Sequence, residues 1–264
     1  MKVLMCTDQE GVAGVVSFEP QSYPDGRFNN EARHLLTAEV NAAIEGMIDE
    51  GVDEVLVVDG HGPGAIWFED LHPKAKLMHG RPCGHRAARD EVFREYDATI
   101  MVGQHAMAGV RTGNQNHTQS SRAIDYIKLN GEPIGEIAQW ALYQGAFGLP
   151  LIFLSGDEAA CREAEALVPG IVTAAVKRGI GRNAAVSLSA TAARALIRER
   201  MAEAVRRHRE SPLAPVVRQG PFVIEKRFFH TDVADGAAGA PDIERVDSQT
   251  IRFRGEKIQD VIFR

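Results

Sequence analysis

Three short runs, Glu54–Asp59 (EVLVVD), Ala98–Gly103 (ATIMVG) and Pro150–Ser155 (PLIFLS), are almost unbroken in apolar residues. A strand with one wet face alternates apolar and polar residues. A strand apolar on both faces must be covered on both, which is the condition of a parallel sheet held between layers of helices. The intervening segments supply those helices. Leu36, Val40, Ala43 and Met47 recur at helical spacing within Asn30–Glu50, and Gly51 stops the run. Further helices are expected from Pro133 to Ala146, from Asp157 to Leu167 and from Ala190 to His208. Lys2–Thr7 reads as a first strand, Lys76–Met78 as a short one, Ile171–Val176 as another. Ile124–Leu129 ends at Asn130-Gly131, a tight-turn signal. After Pro212 and Pro215 the chain turns β-rich, with Phe222–Ile224 and Thr250–Arg254 as strands. The pattern predicts an α/β fold, a mainly parallel central sheet flanked by helices with a smaller mixed β-rich C-terminal portion. We divide it as residues 1–211 and 212–264, the second part either separate or continuous with the first domain.

Composition removes several functions. The 264 residues carry 36 acidic against 30 basic side chains, a net charge of -6. The basic residues are scattered except on one helix face between Arg194 and Arg209, so nucleic acid and anionic membrane are not expected partners. Cys6, Cys83 and Cys161 lie far apart with no CxxC spacing, which suggests neither a disulfide framework nor a thiolate metal site. No apolar stretch reaches membrane-spanning length and the first strand follows Met1 directly. A cytoplasmic protein is the expectation.

The polar residues that interrupt this scaffold fall at one topological place. Asp8 and Glu10 follow the first strand, His61 follows EVLVVDG, His105 follows ATIMVGQ, and Asp157 follows LIFLSG. All lie just beyond the carboxyl ends of buried strands, where open α/β sheets build their sites. In extended backbone, positions i and i+2 project to one side, so Asp8 and Glu10 converge and repel unless a cation or a shared proton lies between them. A solvated acidic turn closed by Gly11 is the plainer alternative. Imidazole with carboxylate is a ligand set suited to zinc or a similar divalent ion. Glu136, near the start of a helix, is either a ligand or a residue complementing the helix dipole. His117 lies in the polar, aperiodic GNQNHTQSS segment, able to reach over a site as a loop. His85 and Cys83, in HGRPCGH, lack a second spaced pair and read as loop. Asp59 reads as a partner that orients a ligand histidine.

Taken in order, TDQEGVAGV, VVDGHG, GQHAMAG, NHTQSS, NGEPIGEI and LSGD resemble the D-aminopeptidase family of dinuclear zinc peptidases, over residue 2 to about Ala185. The resemblance implies two zinc ions per chain, with Asp8 bridging them, Glu10 and His61 completing one site, and His105 and Glu136 the other. It implies that His117 is an additional catalytic histidine. It also implies release of an N-terminal D-residue from short peptides with a free N-terminus, by a ring-shaped homo-oligomer, a decamer, whose channel restricts substrate size. VTAAVKRGIGRNAA is similar to a later stretch of the family, with no role following for Lys177 or Arg182. Two other functions stay open at this point. DxEG after a first strand also resembles the haloacid-dehalogenase phosphatases, although those need a second Asp where Glu10 stands. A metal-stabilised ring or binding protein without turnover would keep the same ligands.

Overall fold

The computed structural model describes residues 1–264. Along the chain the strands are β1 (Lys2–Thr7), β2 (Glu54–Asp59), β3 (Ala75–Met78), β4 (Ala98–Gln104), β5 (Ile124–Leu129) and β6 (Glu132–Pro133), then β7 (Leu151–Asp157), β8 (Val172–Gly181), β9 (Ala184–Ser187), β10 (Phe222–Phe228), β11 (Glu244–Arg245) and β12 (Thr250–Gly255). The helices are α1 (Asn29–Asp49), α2 (Arg86–Phe93), α3 (Glu136–Gly145), α4 (Glu158–Leu167), α5 (Ala190–Glu210), α6 (Thr231–Ala237) and α7 (Ile258–Val261). None of them is long and apolar enough to cross a membrane.

Seven strands form the central sheet in the order β3-β2-β1-β4-β7-β8-β9. All neighbours are parallel except the β8–β9 hairpin. The continuous apolar runs explain why. Successive side chains of β1 enter opposite cores: Val3 and Met5 pack with Leu36, Val40, Ile197 and Met201 of α1 and α5, while Leu4 and Cys6 pack toward α3, α4 and the second sheet. A strand buried on both faces has no polar positions to spare. The helix ends are locally encoded. Asp157 caps α4, accepting from the Ala159 N–H at 2.6 Å, and Ser189 caps α5 from the Ala192 N–H at 3.3 Å.

The second sheet is antiparallel, in the order β11-β12-β10-β5-β6. Its strands come from both sides of residue 212, since β10 pairs with β12 on one edge and with β5 on the other. Its apolar face, with Ile127, Leu129, Ile224 and Phe253, shares a core with α3 and the central sheet.

Two local expectations change. The helix expected from Pro133 begins at Glu136, because Asn130-Gly131, with φ of 51° and 88°, turns the chain back and Pro133 pairs with Lys128 in a two-residue edge strand. Proline donates no hydrogen bond, and an edge is where a sheet tolerates it. The segment after HGRPCGH forms α2, with His85 at its N-cap and only Asp90 and Phe93 buried. So short a run carries too little periodicity to be read as a helix.

Candidate metal centre

The strand order positions the centre. β1 lies between β2 and β4, so the carboxyl end of β1 is flanked by the ends of both neighbours. Adjacent strands lie about 4.8 Å apart. Asp8, leaving β1, therefore reaches a histidine on either side. Its Oδ1 lies 3.0 Å from His61 Nδ1 and its Oδ2 lies 3.1 Å from His105 Nε2. Glu10 Oε2 lies 2.9 Å from the same His61 nitrogen, and Glu136 Oε1, in the first turn of α3, lies 3.4 Å from His105 Nε2. Two glycines let the β1 and β4 exits touch. A Cβ on Gly103, whose φ is +79°, would sit 2.0 Å from the Asp8 carbonyl oxygen, and one on Gly11 would sit 2.0 Å from the Gln104 carbonyl oxygen.

Whether these residues suit metal ions is decided by their hydrogens. His61 Nε2 lies 3.0 Å from the Ser22 carbonyl, which can only accept, so that nitrogen carries a proton. The neutral ring then presents its Nδ1 lone pair to two carboxylates. His105 repeats the arrangement: Nδ1 donates to the Ala106 carbonyl at 2.9 Å, and Nε2, facing Asp8 and Glu136, is buried without a hydrogen-bond partner, as is Glu10 Oε2. Lone pairs that converge in a dry site repel, so either each ring takes a second proton or cations lie between the groups. In the protein alone, burial presses His61 down, but Glu10 and Asp8 outweigh it and hold the imidazole well above its ordinary pKa. Burial likewise presses Asp8 up, and the His105 and His61 imidazoles facing it hold it well below the carboxylate range. A carbonyl on the far nitrogen is the usual orienting partner of a metal-bound histidine. Separations of 2.9 to 3.4 Å also approach the roughly 3.4 Å between ligand atoms that bonds of about 2.1 Å make around a tetrahedral ion. The side chains fit two adjacent ions.

The ligand atoms fall into two groups, Asp8, Glu10 and His61, and His105, His117 and Glu136, each within 4.8 Å of one another. His117 thus joins the second group: its Nε2 lies 3.8 Å from Glu136 Oε1, and its ring stacks on His105 with centroids 3.9 Å apart. Burial and the neighbouring His105 lower its pKa. Its Nδ1 donates to the Gln115 carbonyl at 2.9 Å, which leaves Nε2 as the unprotonated nitrogen. The loop that carries it is held in an uncommon shape, with Gln115 at φ 51° and Gln119 at φ 63°. The Gln119 N–H donates to Glu136 Oε1 at 2.6 Å.

Other residues singled out in the sequence lie elsewhere. Asp157 is outside the cluster: besides capping α4, it accepts from the Asn114 N–H at 3.1 Å and so anchors the His117 loop. Asp59 does not touch the His61 ring. It accepts from the Ala65 and Ile66 N–H groups and shapes the loop after β2. His85 caps α2. Sequence reasoning missed Ser22 and Gln115, whose contributions are carbonyls common to every residue. It also left Lys177 without a role. Buried midway along β8, Lys177 donates to the carbonyls of Glu10 and Val15, while Glu39 of α1 accepts from the Ala13 N–H at 2.9 Å. A charged residue in an apolar stretch was the available signal for both.

Two recesses open on the centre. A polar cleft of about 220 Å³ is lined by Glu10, Ser22, His61, His117, Ser120 and Arg122. An apolar chamber of about 320 Å³ meets the centre at Asp8 and Glu136.

An α/β sheet with paired carboxylate–imidazole clusters at its carboxyl edge, beside two recesses, describes the metallohydrolase class. The family model for peptidase M55, D-aminopeptidase, matches residues 1–263. A D-aminopeptidase of Bacillus subtilis (strain 168) is 31% identical over 262 residues, covering 97% of this chain and 92% of that protein. The solved structure described as "Zn-dependent D-aminopeptidase DppA from Bacillus subtilis, a self-compartmentalizing protease" superposes with a TM-score of 0.89 at 27% identity, covering 100% of this chain and 94% of its own. The chain belongs to the D-aminopeptidase family of peptidases.

Proposed function

We propose that the protein is a zinc-dependent aminopeptidase that releases N-terminal D-amino acids, D-Ala or similar, from short peptides or amides. The observation that carries the reading is Asp8, whose two oxygens face His61 and His105 separately. Asp8 would bridge two zinc ions, with Glu10 and His61 on the first and His105 and Glu136 on the second. When bound, such ions supply Lewis-acid polarisation of the scissile carbonyl and an activated water. His117 is the proposed catalytic histidine. With Nδ1 tied to Gln115, its Nε2 accepts a proton from the attacking water and returns it to the leaving amine. The grouping of His117 with His105 and Glu136 favours one second reading, in which His117 is itself a ligand. We also infer a cytoplasmic, ring-shaped homo-oligomer, a decamer. The description of the solved relative as self-compartmentalizing supports an enclosed assembly.

The test is a panel of D- and L-alanine amides and short peptides with metal-loaded protein, repeated after chelation and after acetylation of the substrate amine. Hydrolysis of the D-substrates that disappears with either treatment is expected. Preference for L-substrates, or phosphate-ester turnover without amidase activity, overturns the assignment, and silence across the panel favours a binding protein.

A further inference from the structure

The chamber and the cleft differ in chemistry, and the difference bears on which part of a substrate enters each. Phe93, Met101, Trp140 and Phe263 line the chamber, together with Arg81 and Arg89. The two arginines are not equivalent. Arg81 is committed to the backbone, donating to the carbonyls of Asp59, His61 and Gly62. Arg89 has no hydrogen-bond partner for its buried Nε. It also lacks the carboxylate partner that its neighbour Arg86 has in Asp260. Asp90, next to it, is taken by the Tyr143 hydroxyl at 2.6 Å. A guanidinium half-buried against aromatic walls and paired with no carboxylate is a receptor for a planar anion, because its fork of N–H groups matches a carboxylate.

From this we infer that the chamber binds the C-terminal residue of a short peptide, its apolar side chain against Phe93, Met101 and Trp140 and its free carboxylate on Arg89. The inference rests on the peptidase reading above and extends it. A free N-terminal amine needs an anion, and of the three carboxylates bordering the chamber Asp8 and Glu136 belong to the metal centre while both oxygens of Asp59 accept from the Ala65 and Ile66 N–H groups. The carboxylate end is therefore the end that the chamber's unpaired charge selects. Asp8, Glu136 and Arg89 line one chamber of about 320 Å³, at the lower end of the roughly 300–1,000 Å³ of small-ligand pockets. The room beyond the scissile bond then suits a single residue, and dipeptides ending in a large apolar residue become the favoured class.

Calorimetry on the metal-free protein with phenylalanine, phenylalaninamide and glycine tests this apart from catalysis. At about pH 6, below the α-amino pKa of either probe, both aromatic probes carry the same protonated amine, so their ratio isolates the carboxylate. Phenylalanine should bind about 10- to 100-fold more tightly than its amide, the scale of a charged hydrogen-bonded pair, and at least about tenfold more tightly than glycine. Arg89→Ala should bring the acid-to-amide ratio near one, and Arg89→Lys should restore part of it, with circular dichroism reporting the fold of each. In metal-loaded protein the same preference should appear between D-alanyl-phenylalanine and its C-terminal amide, in KM rather than kcat. Equal binding of acid and amide, or a ratio indifferent to Arg89→Ala in a folded variant, overturns the inference while leaving an aminopeptidase intact. Carboxylate-dependent binding without hydrolysis of any peptide would support the chamber and refute the peptidase reading.

Discussion

Glu39 offers a quantitative handle on how the loop after β1 is held. Its side chain is buried, one oxygen accepts from Ala13, and the other has no partner. Burial raises its pKa from 4.5 to about 8, against smaller opposing effects of the Ala13 hydrogen bond, Lys177 and Arg194. A carboxyl with a raised folded-state pKa keeps its proton in the native protein after the unfolded chain has released it. Its stabilising contribution is complete below pH 4.5 and is lost as pH rises toward 8. The slope is about 1.4 kcal/mol per pH unit. Glu39→Gln preserves the carbonyl that accepts from Ala13 and cannot titrate. Between about pH 5.5 and 7.5, the variant should therefore gain roughly 2 to 3 kcal/mol relative to the wild type. Urea denaturation of both proteins, at fixed protein concentration and metal loading, measures the difference at each pH and cancels the titration of the histidines they share. Stability differences that stay constant with pH would refute the reasoning. They would show Glu39 ionised in the native protein and paired with Lys177.

Other outcomes follow from the centre. Asp8→Ala should remove both ions, whereas His61→Ala or Glu10→Ala should empty one site preferentially, as measured by elemental analysis; full metal content in the Asp8 variant would end the bridging assignment. His117→Ala should lower kcat by about 10²-fold or more with metal content unchanged; parallel loss of metal would make the residue a ligand. Gly103→Ala forces a Cβ against the Asp8 carbonyl at a positive φ, so it should cost at least about 2 kcal/mol and lower the unfolding midpoint by several degrees. An unchanged midpoint would mean that the β1 and β4 exits can separate freely.

Much of this architecture is written locally in the chain. Continuous apolar runs announce strands covered on both faces, helical spacing announces α1 and α5, and polar residues at the ends of those runs announce a site at the sheet's carboxyl edge. These signals survive in the sequence because each depends on neighbours within a few residues. Strand order is another matter. Nothing near Asp8 says that β1 lies between β2 and β4, yet that placement lets one carboxylate face two histidines. Likewise, β5 is separated by some ninety residues from the β10 strand it pairs with, so the second sheet could not be inferred from either segment alone. The carbonyls of Ser22 and Gln115 that set the histidine tautomers, and the Lys177 ammonium that holds the Glu10 loop, are invisible for the same reason. Periodicity and turn chemistry are properties of a segment, whereas the pairing of distant segments, and the proton positions that result, are properties of the folded whole.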